Sequence, residues 1–219
     1  MSRQKQYDLA LDSCESLLSD NPGPLLIATA ISIGRAEDLD SAQLKRTEIL
    51  IEQIGGMYPT DAAVQWQLAS YYVAQGNLQK GTTRYRSVLE HDPNHVIALN
   101  NLAWLLSHGK TAELVEAKQL IQAAIDLAGP VPQLLDTQAT ILTVAGENQK
   151  AVEVLQAAIE ETDTSVMQFH LAVAYWKMEN RSAAVFHFKK ALESGLVEDD
   201  LHDLEKNDFQ ALFTQIGDS

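Results

Sequence analysis

The chain has 219 residues, 46% of them hydrophobic, with 16 basic against 30 acidic side chains and a net charge of −14. That balance argues against nucleic acid and against anionic lipid surfaces, both of which need clustered Lys and Arg, and favours solubility and a protein partner, a basic one in particular. No run approaches the roughly 20 apolar residues of a membrane-crossing helix. The start, MSRQKQYDLALDSCESLL, lacks a signal peptide's continuous apolar core, so a cytoplasmic location is favoured unless the chain is a fragment of an exported protein.

Residues 4–22 read as a helix with Ala10, Cys14 and Leu17 inward at i, i+4 and i+7. Pro22 stands relative to this helix as Pro93 stands to a later one, so the segment is either a half repeat whose first helix is missing or an N-terminal cap. The half-repeat reading implies a chain cut from a longer protein. Cys14 is the lone cysteine, so no internal disulfide is possible; it is expected to be a buried, inert thiol. Residues 23–60 read as a degenerate helix pair. Pro24 starts a helix through Ile33, and Arg35–Asp40 is a charged turn. A second helix runs from about Ser41 to Ile54 with Leu44, Ile51 and Ile54 inward, ended by Gly55-Gly56.

From Ala62 the pattern becomes regular. Leu68, Ala69 and Tyr72 share one helical face, and Gly76 follows where a helix end tolerates a left-handed residue. Gly81, Tyr85 and Val88 make the core stripe of a second helix, and Asp92-Pro93 stops it because the residue before proline avoids the helical conformation. The same positions recur. Ala69, Ala103, Ala139 and Ala172 are spaced by 34, 36 and 33; Gly81, Ala117, Ala151 and Ala184 by 36, 34 and 33. The two-residue slip falls in the loop Ser107–Thr111. A helix pair this short cannot bury its apolar face alone, so the copies are expected to stack.

These residues resemble the tetratricopeptide repeat, a 34-residue helix–turn–helix with W-x2-L-G-x2-Y, then A-x3-F, then P. Leu68-Ala69, Tyr72, Gly76, Gly81, Tyr85 and Pro93 carry the first full match. Ala103, Leu106, Ala117, Ile121 and Ala124 carry the second, Ala139, Leu142, Gly146, Ala151 and Leu155 the third, and Ala172, Tyr175, Ala184, Phe188 and Ala191 the fourth. Gln65 stands where the family has tryptophan and Gln138 where it has leucine. Glu179-Asn180 replaces the turn glycine, with Asn as the expected substitute. The resemblance, to bacterial-type arrays, implies an all-α fold: an α-α superhelix of stacked antiparallel helix pairs. The repeats are 62–95, 96–130, 132–164 and 165–197. A C-terminal cap over 198–219, with a helix at about Asp208–Ile216, covers the last apolar edge.

Nothing in the chain requires catalysis. There is no phosphate loop, no zinc-type cysteine spacing and no G-x-S-x-G. His91 and His95 are four apart, but Pro93 breaks the helix that would align them as metal ligands. No enzyme activity, cofactor or metal is expected. Function is sought on the first helices of the pairs, which in this family line the concave face. Their outward residues form columns: Trp66, Asn100, Asp136 and Phe169; Gln67, Asn101, Thr137 and His170; Ser70, Trp104, Thr140 and Val173; Val73, Ser107, Thr143 and Trp176, with His108 and Lys177 at the rim. Each tryptophan either faces a binding groove, where rigid aromatic area anchors partners, or packs between neighbouring first helices. Asp136 is expected to be solvated. Gln133 and Thr137 stand where a carboxylate-clamp subclass has basic residues, which disfavours a C-terminal carboxylate ligand. The expected function is a protein-interaction module holding a peptide segment or helix. The alternative is a structural spacer or self-associating segment, a homo-oligomer included.

Overall fold

The computed structural model describes residues 3–18, 25–109 and 111–217; among them every regular element is helical and no strand occurs. The chain divides into two compact units, Met1–Ala98 and Leu99–Ser219. Pro22 and Pro24 lie outside the described residues.

The first unit holds α1 (Arg3–Leu17), α2 (Leu25–Gly34), α3 (Ser41–Met57), α4 (Ala62–Ala74) and α5 (Leu78–His91). Its helices pack in adjacent pairs, α2 on α3 and α4 on α5, with α1 against α2 and α3. Local chemistry starts and stops them. Asp61 caps α4 by accepting from the backbone of Ala63 and Val64. Gly76 then takes φ of 72°, and Asn77 caps α5 through the Lys80 amide.

Two inward assignments are corrected here. In α1 the buried residues are Leu11 and Cys14, flanked by Tyr7, Ala10 and Leu18, while Leu17 is 50% exposed; Leu18, seven residues after Leu11, continues the stripe that Leu17 misses. In α3 the buried line is Gln43, Thr47, Leu50, Ile51 and Ile54, and Leu44 turns outward. Gln43 wins the interior place because its amide donates to the Gln4 carbonyl and the Asp8 carboxylate of α1. It also closes a capping box with Asp40. Nor does α3 stop at Gly55-Gly56. It runs on to Met57, because Gly55 sits within the helix where the Leu68 side chain of α4 needs its missing Cβ.

The second unit carries most of α6 (Val96–Ser107), then α7 (Thr111–Ala128), α8 (Pro132–Val144), α9 (Asn148–Glu161), α10 (Ser165–Lys177), α11 (Arg181–Glu193) and α12 (Lys206–Gly217). α8 packs on α7 and α9, and α10 on α9 and α11. The alanines picked out by spacing sit at the contacts: Ala139, Ala151, Ala158, Ala172, Ala184 and Ala191 are all fully buried. α12 lies against α10 and α11. Its Phe209 ring rests 6.2 Å from Phe169 and 5.2 Å from Phe188, so it covers the last apolar edge, as the resemblance implies.

Candidate binding faces of the leading helices

In the first unit the outward face of α4 and the neighbouring face of α2 form an open cleft of about 450 Å³. From α4 come Trp66, Gln67 and Ser70, and from α2 come Ala28, Ile31, Ser32 and Arg35. The columns read from sequence omit the α2 wall. A signal for it exists, since Ala28, Ser32 and Arg35 recur at i, i+4 and i+7 as a small, polar stripe ending in a cation. Trp66 is half-buried, its ring 6.3 Å from His95, and its buried indole N–H finds no acceptor among the described residues. Gln67 bonds to its own helix, at the Ala63 carbonyl. The Ser70 hydroxyl pairs with the Tyr85 hydroxyl at 3.1 Å, so it also ties α4 to α5.

On α6, Asn100 donates to the Asn101 side chain at 3.2 Å, while its own Oδ1 is buried without a donor among the described residues. Trp104 is half-buried with the His108 ring 4.7 Å away and the His202 ring edge-on at 4.9 Å. His108 is held by its Nδ1 beside the Trp104 carbonyl and the Ser107 hydroxyl.

In the second unit the corresponding face is occupied. The stretch between α11 and α12 folds over α8 and α10. His170 is trapped between two acids, with Nδ1 2.7 Å from Asp136 and Nε2 2.9 Å from Glu205. All three side chains are at most 18% exposed. Each ring nitrogen faces a carboxylate oxygen, an arrangement that favours the doubly protonated imidazolium, which donates to both. Burial alone would push its pKa down, but the two carboxylates outweigh that and raise it to about 10. Glu205 is pulled down in turn; burial opposes the shift and the His170 bond prevails. Lys177 pairs with Asp208 at 3.0 Å.

Several placements therefore differ from the sequence reading, among them Ser107, Val173 and His170, read as outward but buried. Phe169 is 1% exposed and belongs to the core under Phe209. Thr137 is buried. Asp136 is not solvated but pairs with His170. Trp176, for which the groove and packed alternatives both stood open, is half-buried with the Arg181 guanidinium of α11 3.5 Å over its ring. Thr140 is half-buried and bonds to the Asp136 carbonyl one turn earlier.

A family model described as tetratricopeptide repeat matches residues 166–194, which are α10 and α11. The α10/α11 pair thus matches the tetratricopeptide repeat, and the chain has the fold of tetratricopeptide-repeat solenoids. It is 22% identical over 134 residues to human tetratricopeptide repeat protein 7A, covering 61% of this chain but only 15% of that protein's length. Among solved structures, a tetratricopeptide repeat protein from Parabacteroides merdae is similar over 93% of this chain and 79% of its own, with a TM-score of 0.72 at 17% identity. The APC/C hetero-tetramer Cut9–Hcn1 is similar over 88% of this chain and 37% of that one, with a TM-score of 0.63 at 14% identity. These structures share the fold.

The departures from the tetratricopeptide pattern have structural roles. Gln65, at the tryptophan position, is 1% exposed. Its amide N–H groups donate to the carbonyls of Gly55 and Tyr58, and its oxygen accepts from Arg84. Gln168 stands at the same place in the fourth repeat. It donates to Asp163 and lies 2.8 Å from His187 Nδ1. In the turn of that repeat the left-handed residue is Glu179, with φ of 61°, and not Asn180. Asn180 instead caps α11 through the Ala183 amide, as Asn77 caps α5.

Proposed function

We propose that this chain is a protein-interaction module that holds a peptide segment or a helix of its partner against its leading helices and performs no chemistry of its own. The observation that carries this reading is the first-unit cleft, open, wide enough for side chains, and lined by Trp66, Gln67 and Arg35. A partly exposed indole offers large rigid apolar area, and the Gln67 side-chain amide beside it can both donate to and accept from a peptide backbone. Interaction through such faces is the general role of the family, and the hetero-tetramer among the similar structures is a protein assembly.

The test is co-purification from native extract with the full chain as bait, beside a Trp66→Ala/Gln67→Ala variant checked for unchanged helicity by circular dichroism. The expected result is a protein retained by the wild type and lost by the variant. Equal retention by the two overturns the assignment. A defined dimer by light scattering, broken by the same substitutions, would assign the cleft to self-association instead.

A further inference from the structure

We infer that the groove of the second unit is a docking surface for a partner segment that combines a carboxylate with apolar side chains, and that residues 201–208 of this chain sit there as a displaceable stand-in for it. This rests on the reading above that leading helices hold partner segments, and it names the chemistry of one.

A C-terminal cap needs only apolar cover, and Phe209, Leu212, Leu201 and Leu196 supply it around Phe169 and Phe188. The residues between do something a cap does not need. Glu205 delivers a carboxylate onto His170, His202 lays its ring edge on Trp104, and Asp208 pairs with Lys177. Each of these contacts lands on a column or rim residue of a leading helix. A buried ion triad is a poor device for stability, because desolvating three charges offsets most of their attraction, whereas an apolar set of equal volume carries no such penalty. Its value is selectivity, since His170, already held by Asp136, presents one remaining N–H that only an acceptor can satisfy. The fit is also incomplete. A cavity of about 90 Å³ remains beside the segment, with Val144, Phe169, Val173 and Leu204 as its apolar wall, Thr140 and Thr143 beside them, and His108, His170, Glu205 and Asp208 at its polar side. A competing segment with a larger apolar side chain beside its acid would fill it.

The experiment uses the full chain and a fluorescein-labelled synthetic peptide of residues 198–215 as probe, read by anisotropy. Glu205→Gln/Asp208→Asn removes two anchors of the resident segment without changing its shape. The probe is expected to bind this variant at least about tenfold more tightly than wild type. The gain should vanish when His170→Ala is added, or when the probe carries Gln at its position 205. Equal affinity for wild type and variant overturns the inference, and so does a gain that survives without His170. Amide exchange gives a second reading should the probe aggregate. Residues 201–215 are expected to lose protection at least tenfold in the variant while α8–α11 keep theirs, and unchanged protection also overturns it. Because the co-purification test rests on first-unit residues, its failure together with success here would confine docking to the second unit, and the reverse would leave the first-unit reading standing alone.

Discussion

The two units present the same kind of face in two conditions. In the first, α2 and α4 leave a cleft open around Trp66. In the second, α8 and α10 are covered by the chain's own residues 201–209, and the equivalents of the open positions are core or ion-paired. The helix pairs are built alike, so the difference comes from the C-terminal segment that closes over one face and not the other. A repeat face is exposed by default and becomes interior only where another segment brings matching apolar area and charge.

Phe209→Ala should break the contrast most strongly. It removes the ring that covers Phe169 and Phe188, and such truncations cost about 3 kcal/mol or more. Trp66→Ala, in the open cleft, should cost less, about 1–2 kcal/mol, because part of its ring already faces water. Urea unfolding of both variants measures the gap, and equal losses would mean the two faces are not differently buried.

Gln65→Leu comes next. It leaves the Gly55 and Tyr58 carbonyls and one arm of Arg84 without their partner, an expected loss of about 2 kcal/mol. Urea midpoints at constant m-value are the readout. If leucine is neutral there, the polar ties contribute nothing that apolar bulk does not.

The covered face should also respond to pH where the open one does not. His170 is raised, so its contribution is complete below about 6.5 and lost as pH rises through about 10. Glu205 is lowered, so its contribution is present above about 4.3 and lost on acidification. Asp136, His108 and His202 face the same site, and His202 is pushed down by burial, so charging it below about 6.5 works against the contact. Trp104 emission, in a Trp66→Phe/Trp176→Phe background, should shift toward that of an exposed indole between pH 7 and 10. A flat profile there would show that the His170 pair does not hold the segment.

The smallest effect is expected at Glu179→Gly. Relief of a left-handed non-glycine residue stabilises by roughly 0.5–1 kcal/mol, and a melting temperature that does not rise would mean the turn is already relaxed by its neighbours.

Much of the fold is legible in the sequence because it rests on spacing. The alanine series from Ala69 to Ala172 and the series from Gly81 to Ala184 need only counting. Choices settled by partners distant in sequence escape such counting. Gln43 displaces Leu44 from the interior because Gln4 and Asp8 wait for it on α1, and no helical periodicity announces that. Columns drawn on the leading helices of the regular repeats alone contain neither the α2 wall of the cleft nor the return of Glu205 to His170. The spacing of that last pair, 35 residues, is close to one repeat. Asp136 lies 34 residues before His170, so the three polar residues sit at nearly the same phase of successive copies.

Gln65 and Gln168 carry one last consequence, for stiffness. Each bridges to a residue nineteen positions on, Arg84 and His187. A hydrogen bond accepts a narrow range of angles, whereas an indole in an apolar slot can slide. The hairpins α4/α5 and α10/α11 are therefore braced against shear. The hairpins α6/α7 and α8/α9 have apolar side chains, Leu99 and Leu135, at the same point in place of such a strut, and are where the second unit should yield first under load.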